Sequence, residues 1–331
     1  MSSKKVLVTG GAGYIGAHVC KALKNSGYLP VTVDNLSTGF LHNVKWGPFH
    51  NLDLLDPNAL ENEIGKYDFE GVIHLAAHAY VEESQADPLK YFSNNLVSTI
   101  NLLKFMRARD IVRLVFSSSC AVYGKGSGRP FKEDDVKAPI NNYGLTKKMC
   151  EEIITASAPS FGLKFINLRY FNAGGCDLEG EIFEEHKPET HVIPLLVEST
   201  SRGRVFYVHG NDHETNDGSP IRDYVHVLDL ADAHVKALGY LKFNGESGAI
   251  NLGSGKGTSV LDLIESFRTL GQEPKIEFAA PRLGDPPILI ADCSLAKEKL
   301  GWKPSRSSVT NILKSAVAGR NSKEAANLKD F

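Results

Sequence analysis

The feature that most constrains the fold of this chain is a glycine-rich turn between an apolar run and a helical pattern. In "VLVTGGAGYIG", Gly10, Gly13 and Gly16 recur at every third residue. Such glycines permit a tight bend, a close approach of the backbone to a pyrophosphate, and close packing of the helix on the strand. Free N–H groups at the helix start favour a phosphate there. The turn predicts a strand–turn–helix unit that binds a dinucleotide, although its G-x-x-G-x-x-G spacing differs from the commoner G-x-G-x-x-G.

An acidic residue at the end of the second apolar run indicates which dinucleotide is bound. Asp34 closes "LPVTVD", about two dozen residues after Gly10. A carboxylate at this place accepts hydrogen bonds from the adenosine ribose and repels a 2′-phosphate, which favours NAD over NADP. Asp53 follows another short run and is a weaker candidate for contact with the adenine edge. Asp53 is equally well explained as an ordinary loop residue that makes no contact with the cofactor.

Short apolar runs alternate with helical patterns through the first half of the chain. Further strands are predicted at 71–77, 112–119 and 163–171, with helices around 92–108 and 143–157. This alternation predicts an α/β fold, a Rossmann-type doubly wound parallel sheet. After residue 175 the sequence is polar and rich in turn residues, which predicts a smaller α/β C-terminal substrate lobe. The predicted division is 1–175 and 176–331, with the chain near 222–240 able to return to the first domain.

Composition narrows the function classes. The formal net charge is −2, without the basic excess of a nucleic-acid-binding protein, and no apolar run approaches the ~20 residues of a membrane span. The N-terminus does not resemble a signal peptide. Five scattered cysteines without a C-x-x-C pair favour free thiols and a cytoplasmic location. The histidines do not combine with cysteines at zinc spacings, so no metal site is expected.

The segment "NNYGLTKK" carries the candidate catalytic pair. Tyr143 and Lys147 are four residues apart, so they are neighbours on one helix face. A tyrosine pKa of about 10 is too high for a base at neutral pH, but an ammonium and an oxidised nicotinamide both favour the phenolate. The pattern alone is common by chance. It gains weight from "VFSSSC", where a buried strand ends in three serines at the edge where open α/β sheets bind ligands. Ser119 is the best placed of them, and Ser117 and Ser118 cap or buttress the site.

Six motifs in order carry a family resemblance: "TGGAGYIG", "DNLSTG", "SSSCAVYG", "YGLTK", "RYFNAGG" and "RDYVHVLDLADAHV". Together they resemble the extended short-chain dehydrogenase/reductase family, and within it the UDP-glucose 4-epimerase branch, from about residue 5 to about 304. The resemblance implies an isomerase that interconverts UDP-glucose and UDP-galactose at C4 through a 4-keto intermediate, with retained NAD. Tyr143 is then the general base, Lys147 holds the nicotinamide ribose, and Ser119 binds the reacting hydroxyl.

The resemblance also implies the binding residues, a UDP-sugar partner and a homodimer. The expected NAD contacts are Gly10, Gly13, Tyr14, Ile15, Gly16, Asp34, Asn35, Ser37, Asp53, Leu54, Leu75, Ala76, Ala77, Asn94, Ser117, Tyr143, Lys147 and Tyr170. The expected substrate contacts are Ser119, Tyr143, Asn172, His191, Val192, His209, Arg222, Arg282 and Asp285. Of these, the two arginines are expected to pair with the diphosphate and Asp285 with the uridine ribose.

Five positions depart from the family pattern. Ala79 stands where a lysine contact to the cofactor is frequent, and Glu82 replaces a usual glycine. His191 and His209 stand where an asparagine and a phenylalanine commonly meet the nucleotide. Leu289 lies where a tyrosine narrows the pocket in some members, so N-acetylated sugars stay open as substrates.

Several alternative functions remain open from the sequence. A sister 4-epimerase acting on UDP-N-acetylglucosamine, UDP-xylose/arabinose or UDP-glucuronate would use the same machinery. A 4,6-dehydratase is disfavoured because Cys120 and Ala121 follow Ser119, where those enzymes carry an acidic pair. A dehydrogenase, which would have to exchange its cofactor in each turnover, is disfavoured by the six motifs. A non-catalytic NAD-binding scaffold or regulator is a remote alternative, since fold alone does not imply activity.

Overall fold

A computed structural model describes residues 4–126, 128–281 and 286–327. Arg282 and Asp285 lie outside these ranges. The strands are β1 (Lys4–Thr9), β2 (Tyr28–Asp34), β3 (Phe49–Asn51), β4 (Phe69–His74), β5 (Arg113–Ser119), β6 (Lys164–Tyr170), β7 (Asn172–Gly174), β8 (Val205–His209), β9 (Ile221–His226), β10 (Gly248–Leu252), β11 (Gly257–Ser259), β12 (Lys275–Ala279) and β13 (Ile288–Leu289).

Ten α-helices connect the strands in the described ranges. They are α1 (Tyr14–Asn25), α2 (Ala59–Ile64), α3 (Val81–Ala86), α4 (Pro88–Ala108), α5 (Asn142–Ser157), α6 (Val192–Ser201), α7 (Val227–Lys242), α8 (Val260–Arg268), α9 (Ser294–Leu300) and α10 (Val309–Asn327). None of the helices in the described part of the chain combines the length and apolar character that a bilayer span requires.

Seven strands form one parallel sheet in the order β10-β6-β5-β4-β1-β2-β3. The chain runs outward from β1 to β3 and then resumes at β4 on the other side of β1. This reversal creates a crevice at the carboxyl ends of β1 and β4, where open α/β sheets bind ligands. The predicted doubly wound fold is therefore confirmed.

Alternating side chains place an apolar layer on each face of the sheet. Leu7 packs with residues of α2, α4 and α5, whereas its neighbours Val6 and Val8 pack with residues of α1, α7 and α9. Successive strand residues point to opposite faces, so a strand covered on both sides must be apolar throughout. The uninterrupted run "VLV" in β1 follows from this double burial.

A smaller set of strands and helices covers the crevice. Strand β9 pairs with β7, β11 and β13, and β8 pairs with β12. A separate apolar cluster joins α6, α8 and α10 to these strands. Both α7 and β10 lie with the large sheet, so the chain crosses back after β9. The division of the chain into a cofactor domain and a substrate lobe stays a prediction.

Candidate active site

A cleft of about 1510 Å³ lies between the carboxyl ends of the large sheet and the smaller set of strands. All predicted site residues in the described ranges line it, including those from β2, β5 and α5, from the turns that follow β1 and β4, and from the covering elements. Arg282 and Asp285, predicted to contact the substrate, are outside the described residues. The sequence motifs are far apart in the chain, and the topology brings them to one cavity.

Two positions of the glycine turn at the start of α1, Gly10 and Gly16, have no room for a side chain. Gly10 has a φ of +73°, and a Cβ there would lie 2.6 Å from the backbone nitrogen of Ala76. A Cβ at Gly16 would lie 2.1 Å from the Gly10 oxygen. At Gly13 the nearest atom to an added Cβ is the Gly10 oxygen at 3.4 Å, and this residue faces the cleft. The turn thus leaves a backbone cradle open at a helix N-terminus, which suits a pyrophosphate.

Asp34 anchors the adjacent end of the cleft. Its carboxylate accepts hydrogen bonds from the backbone nitrogens of Ala12 (3.0 Å) and Leu36 (2.8 Å), so it is fixed to the glycine turn. Burial raises the pKa of Asp34. Nearby, the Asn35 side chain donates to Asp53 at 3.1 Å, which places Asp53 at the same end of the cleft. These groups fit the adenosine half of NAD.

The candidate catalytic residues converge at the end of β5 and the start of α5. The Asn141 side chain caps α5 by accepting a hydrogen bond from the Gly144 nitrogen at 2.8 Å. Tyr143 and Lys147 are only 9% and 3% exposed. The Lys147 ammonium donates to the Ser117 carbonyl at 2.7 Å and lies 5.9 Å from the centre of the Tyr143 ring. The carbonyl therefore holds the ammonium beneath the phenol.

Burial sets the acidity of this pair in the protein without cofactor. It raises the pKa of Tyr143 well above its usual value; nearby Tyr170 adds to the rise, and a hydrogen bond with Ser119 opposes it. Burial also lowers the pKa of Lys147 to about 8. The sequence predicts that Lys147 lowers the tyrosine pKa, and this tuning stays a prediction for the cofactor-bound protein.

A buried network beneath the serines was not predicted from the sequence. Arg169 on β6 makes a double hydrogen bond to Glu151 on α5, at 2.8 and 2.7 Å. The Ser118 hydroxyl donates to the same carboxylate at 2.6 Å, and Arg169 also donates to the Tyr123 hydroxyl at 2.8 Å. The one available signal is that Glu151 lies four residues after Lys147, on the same helix face. The network ties the end of β5 to α5 and so fixes how Ser119 faces Tyr143.

The covering elements contribute the opposite wall. Asn172 begins β7, His191 immediately precedes α6, His209 ends β8, and Arg222 lies on β9, and all line the cleft. The Arg222 guanidinium is 7% exposed and donates to the Ile221 carbonyl at 2.8 Å. Leu289 also reaches this wall. The segment 184–191, whose polar sequence predicts a loop, adds Glu184 and His186 to the cleft.

Comparison with known proteins identifies the family. Residues 6–253 match the model of the NAD dependent epimerase/dehydratase family. The UDP-glucose 4-epimerase of Rhizobium meliloti (strain 1021) is 44% identical over 306 residues, covering 92% of this chain and 93% of that protein. The protein of the same name from Lacticaseibacillus casei is 41% identical over 316 residues, with 94% and 95% coverage.

Solved structures agree with these relatives. The UDP-glucose 4-epimerase of Brucella ovis in complex with NAD has a TM-score of 0.92 and 46% identity, covering 95% of this chain and 98% of that one. The UDP-Glc/GlcNAc 4-epimerase of Campylobacter jejuni has a TM-score of 0.83 and 34% identity, covering 97% and 99%. On this evidence, the chain belongs to the NAD dependent epimerase/dehydratase family.

Proposed function

We propose that this protein is an isomerase that interconverts UDP-glucose and UDP-galactose at C4, with a retained NAD. The observation that carries the proposal is the convergence of Ser119, Tyr143 and Lys147 in the same cleft as the glycine turn and Asp34. This places a base, a hydroxyl-binding group and a dinucleotide cradle around one space. The names of the curated relatives support the choice of reaction.

The residues of the crevice would hold NAD as follows. The turn at Gly10–Gly16 takes the pyrophosphate, Asp34 takes the adenosine ribose, and Lys147 reaches the nicotinamide ribose. NAD, when bound, would supply hydride transfer from and back to C4 of the sugar. The 4-keto sugar would turn over in the cleft between the two transfers, so that its other face receives the hydride. Because oxidation and reduction cancel, the cofactor need not leave between turnovers.

The protein moves the proton. Tyr143 takes the proton of the sugar 4-hydroxyl as the C4–H bond breaks, and gives it back to the keto oxygen when that bond forms again. Ser119 hydrogen-bonds the same oxygen and holds it next to the phenol. Burial raises the pKa of Tyr143, so proton removal requires added positive charge. The oxidised nicotinamide and the Lys147 ammonium supply that charge.

The covering wall would hold the nucleotide. Asn172 and His191 contact the diphosphate, Arg222 and Arg282 pair with it, Asp285 binds the uridine ribose, and His209 packs beside the uracil. The low exposure of Arg222 at the cleft wall supports its part, because a buried guanidinium binds phosphate more strongly than an exposed one.

A related substrate is favoured by one further observation. Leu289 lines the cleft, and leucine leaves more room than the tyrosine found there in some family members. The Campylobacter jejuni neighbour is titled a UDP-Glc/GlcNAc 4-epimerase. UDP-N-acetylglucosamine is therefore a second candidate substrate.

Proton NMR of the purified protein with UDP-galactose and no added NAD tests the proposal. We expect UDP-glucose to form, which would establish both the reaction and a retained cofactor. Conversion only after NAD is added would support the reaction and show that NAD is weakly retained. We would attribute the weak retention to Ala79, where a lysine is frequent in the family. Failure with every UDP-sugar would favour the scaffold alternative.

A homodimer and a cytoplasmic location complete the proposal. Leu89 and Val97 on α4 are exposed apolar side chains, which supports an interface made by helices of two subunits. Five free cysteines support a reducing compartment. Analytical ultracentrifugation and cell fractionation would test these two points.

A further inference from the structure

The segment between β7 and α6 gathers four metal-type ligands on the cleft wall. Glu184, His186, Glu189 and His191 each direct one donor atom into a group whose members lie within 4.8 Å of one another. A search for zinc spacings with cysteine misses this group, because its ligands are two imidazoles and two carboxylates. Such donors suit Zn²⁺ and other first-row divalent ions.

The separations of the donor atoms match those of a four-coordinate site. The His186 Nδ1 atom lies 3.1 Å from Oε2 of Glu189, and the His191 Nδ1 atom lies 2.9 Å from Oε1 of the same carboxylate, so either oxygen can serve as the Glu189 donor. Both Nδ1 atoms lie 3.9 Å from Oε1 of Glu184. Ligands about 2.1 Å from a tetrahedral ion are about 3.4 Å apart, and the four distances bracket this value. Small side-chain rotations would therefore bring all four donors to one ion.

Glu184 gives an independent indication that a cation is needed. Its side chain is only 5% exposed, and its Oε2 has no hydrogen-bond partner among the residues that the structure describes. Glu189, in contrast, lies within hydrogen-bond distance of both histidine Nδ1 atoms and accepts hydrogen bonds from the backbone nitrogens of Thr190 and His191. One carboxylate of the cluster is thus satisfied and the other is not.

A second acidic group in the structure shows the contrast. Asp177, Glu179 and Glu181 also lie close together, but the Lys21 ammonium contacts all three carboxylates at 2.9, 2.7 and 2.6 Å. That group already has its cation. Among the described residues, no ion pair joins a lysine or an arginine to Glu184.

We propose that Glu184, His186, Glu189 and His191 bind one divalent first-row metal ion, with Zn²⁺ the best fit. The ion would be bound by both Nδ1 atoms and by an oxygen of each carboxylate. It would hold segment 184–191 in place against the cleft, where the His186 ring already meets the Tyr14 ring edge-on at 6.1 Å. The inference does not depend on the proposed epimerase reaction, because metal binding is measured without turnover.

Zinc titration of chelator-treated protein by calorimetry tests the site, with Co²⁺ absorption as a spectroscopic check of four-coordination. We expect one equivalent to bind to the wild-type protein. Glu184→Gln and His186→Gln should each weaken binding more than about 100-fold, since each removes a direct ligand. Glu185→Gln, which changes the neighbouring carboxylate outside the cluster, should leave the affinity unchanged.

Glu184→Gln is expected to fold, because the amide has nearly the size and shape of the carboxyl group that it replaces. Zinc should raise the thermal midpoint of the wild-type protein and of Glu185→Gln, but not that of Glu184→Gln. Equal zinc affinities for the wild-type protein, Glu184→Gln and His186→Gln would overturn the proposal and reduce the cluster to a set of ion pairs. Binding with octahedral cobalt spectra in all variants would overturn it as well.

Discussion

Substitutions at two glycines of the turn should separate folding from cofactor binding. In Gly16→Ala the new Cβ would lie 2.1 Å from the Gly10 oxygen and 2.8 Å from the Gly11 Cα. Both contacts are with backbone, so no side-chain rotation relieves them. Helix α1 and the turn must move apart by about 1 Å to restore normal contact distances.

The expected cost of Gly16→Ala follows from this overlap. Overpacking of a core typically costs about 1–3 kcal/mol, and a clash between backbone segments belongs at the upper end. A loss of about 3 kcal/mol lowers the thermal midpoint of a chain of this size by roughly 4 °C. Because the turn itself is displaced, NAD affinity should fall together with stability.

Gly13→Ala is the informative partner. Its added Cβ would meet only the Gly10 oxygen at 3.4 Å, an ordinary contact, and the extended backbone at φ −77° accepts alanine. The methyl group would project towards the cleft, where the pyrophosphate should approach. We expect an unchanged thermal midpoint without NAD and an NAD affinity reduced at least about tenfold.

Differential scanning fluorimetry at one scan rate and NAD titration would measure both effects. Gly239→Ala in α7, where an added Cβ meets nothing within 4 Å, is the control and should be neutral or slightly stabilising. If Gly16→Ala kept wild-type stability, the inferred packing of turn and helix would be wrong. If Gly13→Ala bound NAD normally, the cofactor would not lie on this turn.

Three further substitutions probe the chemistry around the site. In the protein without cofactor, burial lowers the pKa of Lys147 from 10.5 to about 8. Between pH 8 and pH 10.5 the unfolded chain therefore holds more protons than the folded protein. The free energy of unfolding accordingly rises with pH over this range. In urea unfolding, the free energy of unfolding of the wild-type protein should increase by about 3 kcal/mol relative to that of Lys147→Met from pH 8 to pH 10.5. A difference between the two proteins that does not change with pH would contradict the buried ammonium. Leu289→Tyr should reduce kcat/KM for UDP-N-acetylglucosamine more than for UDP-galactose in a coupled assay, and equal losses would refute the pocket assignment. Arg169→Met should cost about 3–5 kcal/mol in urea unfolding, because Glu151 is left buried and unpaired, and the double variant Arg169→Met/Glu151→Leu should recover most of it.

Local signals in the sequence were sufficient to predict the cofactor crevice and the helix that carries the candidate catalytic pair. The turn at Gly10–Gly16 and the strand β1 were predictable because glycine spacing and an uninterrupted apolar run report backbone conformation and double burial directly. Helix α5 was predicted at 143–157 and observed at Asn142–Ser157, since its capping and periodicity are local. The sheet was predicted to be parallel, and the carboxyl ends of parallel strands lie at one edge. The location of the cleft at that edge could therefore be predicted from the topology alone.

Other features depend on contacts between distant parts of the chain. The strand "GAINL" of β10 joins the large sheet about 80 residues after β6, and nothing in five residues specifies that partner. The pairing of Arg169 with Glu151 requires β6 and α5 to be placed first. The low exposure of Glu184 arises from tertiary packing of a segment whose composition is that of a solvated loop.

Epimerisation by hydride return, with Tyr143 as the base, is tested by proton NMR of UDP-galactose deuterated at C4, incubated with wild-type protein and with Tyr143→Phe in ordinary water. A hydride that leaves C4 and returns within the cleft should give UDP-glucose that keeps its deuterium. Tyr143→Phe, which deletes only the hydroxyl, should slow this conversion by about 10²–10⁴-fold while its NAD content is unchanged. Loss of deuterium to solvent, or full activity of Tyr143→Phe, would contradict the account.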